Sequence, residues 1–265
     1  MNTSIEKILS IKNLRTEKMY WEGKDTGKYA VADVANNLYG VVGKQYSPLA
    51  HGDFYARVME WLPEGKVVSS ASSGFHGVSK AVINIEIPST YEVSGQKVGV
   101  YINLLNSLDG STPEAIHVSL LRFACMNMFS LGRNHQSFIK IVGRHTKKGL
   151  ALFNSKIPLV EQIYNAVNGQ LEVANKLSEM AITTAEGQAF LKKIKEAKAL
   201  PKKIVETAET LWTNPTRVED EGRNYWSLFN NVTEPLNRKL EDKGQVLTFN
   251  QIMEVGNIFT EAVTV

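Results

Sequence analysis

Residues Ala115 to Val160 contain no aspartate or glutamate. They hold seven lysines or arginines (Arg122, Arg133, Lys140, Arg144, Lys147, Lys148 and Lys156), with His117, His135 and His145 among them. A stretch that carries cations and no acids suits contact with a polyanion, because each lysine or arginine can neutralise one phosphate. The overall balance would not suggest this: 30 basic residues against 27 acidic leave a net charge of only +3. The densest part, GRNHQSFIKIVGRHTKKG, adds Phe129 and Phe138 nearby and small polar residues, a mixture fitted to phosphate contacts. The first part, Ala115 to Phe129, reads as a buried strand and its exit, so the exposed charge is expected between Arg133 and Lys148. Single strands also need aromatic faces on which bases stack. Tyr46, Phe75, Tyr91 and Tyr101 fall outside the helical core pattern, and Phe75 sits beside His76 in the small-residue loop SSGFHG. Lys44 and Lys80 are outlying cationic candidates. Lys192, Lys193, Lys195, Lys198, Lys202 and Lys203 point to more than one side of their helix and read as a solvated surface.

Catalytic signatures are tested against the same residues. GVVGK at Gly40–Lys44 has two residues between its glycines where a phosphate loop has four, and Gln45 where Ser or Thr would meet magnesium. No GxGxxG, HExxH or GxSxG occurs. Cys125 could pair with His117 or His145 as nucleophile and base, but it lies in the apolar run LLRFACMNMF and reads as a buried small residue. A metal-dependent nuclease needs converging carboxylates, for which Glu86, Asp109 and Glu114 are the candidates; Asp109-Gly110 also reads as an ordinary turn. One cysteine and five scattered histidines give no zinc spacing, and no cofactor is implied.

The elements that must position these residues follow from periodicity. GVVGKQYSP at 40–48 reads as a short strand entering a turn, and HGDFYARVMEWL at 51–62 as a helix ended by Pro63-Glu64-Gly65. Four alternating, β-branched segments follow, KVVSSASSGFHG, SKAVINIEIP, KVGVYINLLNS and AIHVSLLRFAC, broken at Gly74/Gly77, Ser94-Gly95 and Asp109-Gly110. After about Asn127 the apolar spacing turns helical, with Pro201 in a first turn and Thr213-Asn-Pro215 as a stop. The expectation is a single α+β domain over residues 1–265. It has an antiparallel meander of three to four strands packed with helices (sheet-rich over about 39–127) and a helical C-terminal half (about 128–265), with a boundary near Asn154–Pro158 left open. No apolar run reaches the length of a membrane span, and Glu6 spoils a signal peptide. A soluble protein, cytoplasmic and not membrane-bound, is expected.

The segments NLYGVVGKQYSPLAHGDFYARV, YINLLNSLDGSTPEAIHVSLLRFACMNMFS, GRHT and NYWSLFNNVTEPLNR, in that order, resemble the phage/plasmid-like proteins grouped as domain of unknown function 932. The likeness runs over roughly Tyr39 to Leu240, and this chain has Asn237-Arg238 where the family often shows Asp-His. The order helix, meander, helix is also similar in architecture to Rad52-type single-strand annealing proteins. Together these imply a phage-encoded, non-enzymatic single-stranded DNA-binding protein, with annealing as a candidate activity in viral DNA replication or recombination and a homo-oligomer as a candidate state. The expected contacts are Arg133, Lys140, Arg144, His145, Lys147, Lys148, Lys44 and Lys80 for phosphates, and Tyr46, Phe75 and Tyr101 for bases. The alternatives are an interaction protein acting on a host replication, recombination or transcription protein, and the metal-dependent nuclease.

Overall fold

In the computed structural model, residues 5–124, 127–131, 140–155, 160–243 and 245–264 are described. A short helix α1 (Ile5–Leu9) precedes three antiparallel strands, β1 (Arg15–Trp21), β2 (Lys24–Ala32) and β3 (Leu38–Gly43), in that spatial order. The β1–β2 turn is Glu22-Gly23, both at positive φ (49° and 77°), the conformation whose twist matches that of the flanking strands. Of this sheet only β3 is expected from the sequence, as the short strand at 40–48; β1 and β2 are additional. The outer half of the sheet is exposed on both faces, so the sequence lacks the apolar alternation that marks a half-buried strand.

Helix α2 (His51–Trp61) follows, then β4 (Lys66–Ser73), a 3₁₀ turn at Phe75–Gly77, β5 (Lys80–Val93), β6 (Gln96–Ser107), β7 (Ala115–Arg122), β8 (Asn127–Phe129) and β9 (Lys140–Val142). They form a second sheet in the order β4-β5-β6-β7-β8, with β9 on the other half of β7. Ser94-Gly95, at φ 52° and 74°, closes the β5–β6 hairpin. Every residue of β7 is buried. Helical spacing is expected from about Asn127, but Lys140–Val142 pairs antiparallel with Ala115–His117, and the first helix after it begins at Lys147. Three residues of three-four spacing are too few to resist a free strand edge.

The remaining helices are α3 (Lys147–Asn154), α4 (Val160–Glu179), α5 (Thr184–Glu196), α6 (Lys202–Thr213), α7 (Tyr225–Lys243) and α8 (Gln245–Thr264). The fold is α+β with a helical C-terminal half. Local rules set several ends: Thr183 and Glu186 form a capping box on α5, and α6 starts after Pro201 and stops at Asn214. Among the described residues no helix is long and apolar enough to cross a membrane.

The chain forms two compact units, one from residues 1–88, 101–117 and 139–163, the other from 89–100, 118–138 and 164–265. In the first, Phe54 of α2 meets Phe153 of α3 edge-on at 5.6 Å. Gly52 brings α2 against the end of α1, where a Cβ would lie 2.2 Å from the Leu9 carbonyl. In the second, Phe129, Trp226, Phe229 and Phe259 interlock with ring centroids 5.2 to 5.7 Å apart. In the same unit the fully buried Arg122 guanidinium donates to Asp220 at 2.7 Å. Such a pair is costly to desolvate and costlier to break.

Candidate nucleic-acid interface

Strand β3 and three loops of the first unit meet around the turn that follows β6. Ser107 Oγ donates to the Thr112 carbonyl (2.6 Å) and accepts from the Thr112 amide, while Asp109 Oδ1 accepts from the Ser111 amide and hydroxyl. Gly110 takes a φ of +72°. The turn is therefore folded by its own Ser and Asp side chains, as its composition leads one to expect. Gly40 of β3 lies so close that a Cβ there would sit 2.5 Å from Asp109 Cα. From the loop after β4, Ser79 Oγ donates to Asp109 Oδ2 (3.3 Å) and accepts from the Phe75 amide (3.0 Å). Lys80 Nζ stands 4.0 Å from the same carboxylate.

The other two loops lock onto the far side of the turn. Tyr46 donates its hydroxyl to the Ser107 carbonyl (2.8 Å) and stacks its ring on His145, centroids 4.9 Å apart. His145 Nε2 donates to the Thr112 carbonyl (3.2 Å) and lies 3.2 Å from Glu114 Oε2. Burial pushes the imidazole down to about 4 and pushes the wholly buried Glu114 carboxyl up, so desolvation favours the neutral form of both. Glu114 Oε1 lies over Gly143, where a Cβ would be 2.1 Å away. The segment GRHT thus owes its glycine to Glu114 and its histidine to the Tyr46 ring.

From this fixed base the chain emerges into α3. Thr146 caps it, accepting from the Gly149 amide at 3.0 Å, and its first turn holds no acid. Arg144, Lys147 and Lys148 are exposed, and no ion pair engages them among the described residues. Lys44 is exposed on the loop carrying Tyr46. Phe75 is 50% exposed on its 3₁₀ turn, beside an exposed His76 held at φ 51°.

Some expected contacts are buried or already paired, and others lie outside the described residues. Tyr101 is only 6% exposed and donates to Glu86 (3.4 Å), so its ring offers no face to a base. His145 is 7% exposed, and its stack with Tyr46 leaves neither ring as an open platform. Lys80 is shared with Asp109. Arg133 lies outside the described residues, as do Cys125, His135, Phe138 and Lys156. Lys140 is placed in β9 by its backbone alone. The lysine run 192–203 spans the end of α5 and the start of α6, where Lys192, Lys195 and Lys202 pair with Glu196, Glu206 and Glu209. The nuclease candidates are each engaged by protein groups: Glu86 by Tyr101, Asp109 by its own turn, Ser79 and Lys80, and Glu114 by His145. Among the described residues no three His, Cys, Asp or Glu side chains group as a metal site would require.

Every one of the interlocked positions Gly40, Tyr46, Ser79, Asp109, Gly110, Glu114, Gly143 and His145 lies within a match to one family model, described as domain of unknown function (DUF932) and covering residues 38–251. The chain belongs to this family. No curated protein and no solved structure matches it, so the likeness to Rad52-type proteins gains no support. In the second unit the family segment NYWSLFNNVTEPLNR forms, from Tyr225 on, the first part of α7. There Asn237, one of the two departures, accepts from the Met128 amide and donates to the Met128 carbonyl (both 3.0 Å), holding the edge of β8. The other, Arg238, pairs with Glu234, which also takes Arg217. Both departures have structural partners.

Proposed function

We propose that this protein binds single-stranded DNA in the replication or recombination of a phage genome, in the host cytoplasm, without performing chemistry on it. The observation that supports this reading best is the group Arg144, Lys147 and Lys148. These three exposed cations, with no ion pair among the described residues, leave a loop that the Tyr46, Glu114 and His145 contacts hold in place. Exposed cations without acids beside them are free to replace counterions on phosphates. Lys44 and the exposed Phe75 ring, on loops tied to the same turn, extend the surface. Nothing in this arrangement requires a catalytic group.

The test is fluorescence anisotropy with labelled single-stranded and duplex DNA across a salt series, with and without magnesium. The reading expects preference for the single strand and an affinity that falls steeply as salt rises. A flat salt response, or no binding below tens of micromolar, refutes it. Shortening of the labelled strand with magnesium would instead make the protein a nuclease.

A further inference from the structure

The β1–β2 hairpin is an arm. β3 pairs with β2 only from Lys28 to Ala32, so the outer half, around the Tyr20↔Asp25 and Trp21↔Lys24 pairs, is a two-stranded ribbon. Apart from the half-buried Met19, its residues from Thr16 to Lys28 are all exposed. It is nonetheless stiffened from within: Thr26 Oγ1 donates to the Met19 carbonyl (2.7 Å), the Gly27 amide to Asp25 Oδ1 (2.8 Å), and Lys18 pairs with Asp25 (3.1 Å). At its end Tyr20 is 60% and Trp21 72% exposed, while Trp212 and Trp226 are buried. As neighbours in a strand the two rings face opposite ways, which does not build one apolar patch for a protein partner. Trp21 lies directly opposite Lys24. Glu17 and Asp25 are matched by Arg15 and Lys18, leaving Lys24 and Lys28 against Glu22 alone. A ring with an ammonium beside it is the pairing that takes a base and its phosphate. Lys28 pairs with Gly43, so the arm's base runs into the loop carrying Lys44 and Tyr46.

We infer that this arm is a second contact for single-stranded nucleic acid, with Trp21 stacking on a base and Lys24 on the adjoining phosphate; the inference rests on the proposed function. Trp21 touches no core, so its removal leaves the fold intact. In anisotropy titrations of the full chain with labelled oligothymidylate, Trp21→Ala weakens binding about tenfold or more, the range of one lost stack. The salt slope stays that of the wild type, and Trp21→Phe keeps most of the affinity. Oligothymidylate quenches tryptophan emission in the wild type and not in Trp21→Phe. If Trp21→Ala binds as the wild type does while the Arg144/Lys147/Lys148 triple alanine variant is weakened, the arm is no contact and the proposed function stands. If the wild type fails to bind, both fall. If Trp21→Ala changes only the sedimentation of the protein, the arm serves self-association and the inference is overturned.

Discussion

Replacing Arg144, Lys147 and Lys148 together by alanine isolates the charge at the start of α3. The three side chains are exposed and no ion pair holds them among the described residues, the Thr146 cap is kept, and alanine favours helix, so the fold has no reason to weaken. If each cation neutralises one phosphate, the slope of log affinity against log salt falls in magnitude by about 0.7 per contact on a single strand, hence by about 2 for the three. Between about 50 and 200 mM salt these contacts account for roughly a twentyfold share of the affinity loss. Anisotropy with several unrelated oligonucleotides reads both quantities, and the loss should be alike for all of them, because phosphate contacts carry no sequence information. The matching control is Lys192→Ala with Lys202→Ala, whose ammonium groups already pair with Glu196 and Glu206; it should leave the slope unchanged. A folded triple variant with the wild-type slope would refute the reasoning.

Three further outcomes test the structure. Gly143→Ala forces a methyl into Glu114 Oε1 and the Phe153 side chain, and should cost about 1–3 kcal/mol in urea denaturation; a variant as stable as the wild type would show that GRHT does not pack on Glu114. His51 is buried between the Val78 carbonyl and Asn106, and burial holds its imidazole down to about 4 against 6.5. Its folded form therefore binds fewer protons than the unfolded chain, so its contribution is fully present above about 6.5 and falls by about 1.4 kcal/mol per pH unit down to about 4. Denaturation midpoints at pH 7 and 5, compared with a His51→Asn variant, measure it, and equal acid losses in the two would count against the assignment. Arg122→Met leaves Asp220 buried and poorly compensated, with Arg217 at 3.8 Å, and should cost about 3–5 kcal/mol; a loss under about 1 kcal/mol would mean the pair contributes little.

Local rules were enough for α2 with its Pro63-Glu64-Gly65 stop, for the hairpin at Ser94-Gly95, for the limits of α6 and for the buried run of β7. Each depends on residues adjacent in the chain: a cap, a breaker, a positive-φ turn or an apolar alternation. The family, too, was legible from quoted segments. The same reading failed at Lys140–Val142, because a strand edge supplied by Ala115–His117 outweighs a weak helical spacing. It failed at the arm, because a ribbon exposed on both faces has no hydrophobic period. Charge could be read as a tally from Ala115 to Val160, but not its disposition. Sequence alone determined that the cations gather in an acid-free stretch. Only tertiary structure decided that Arg144, Lys147 and Lys148 are exposed while His145 and Tyr101 are buried, since burial and pairing are set by groups tens of residues away, as Glu114 and Tyr46 are for His145.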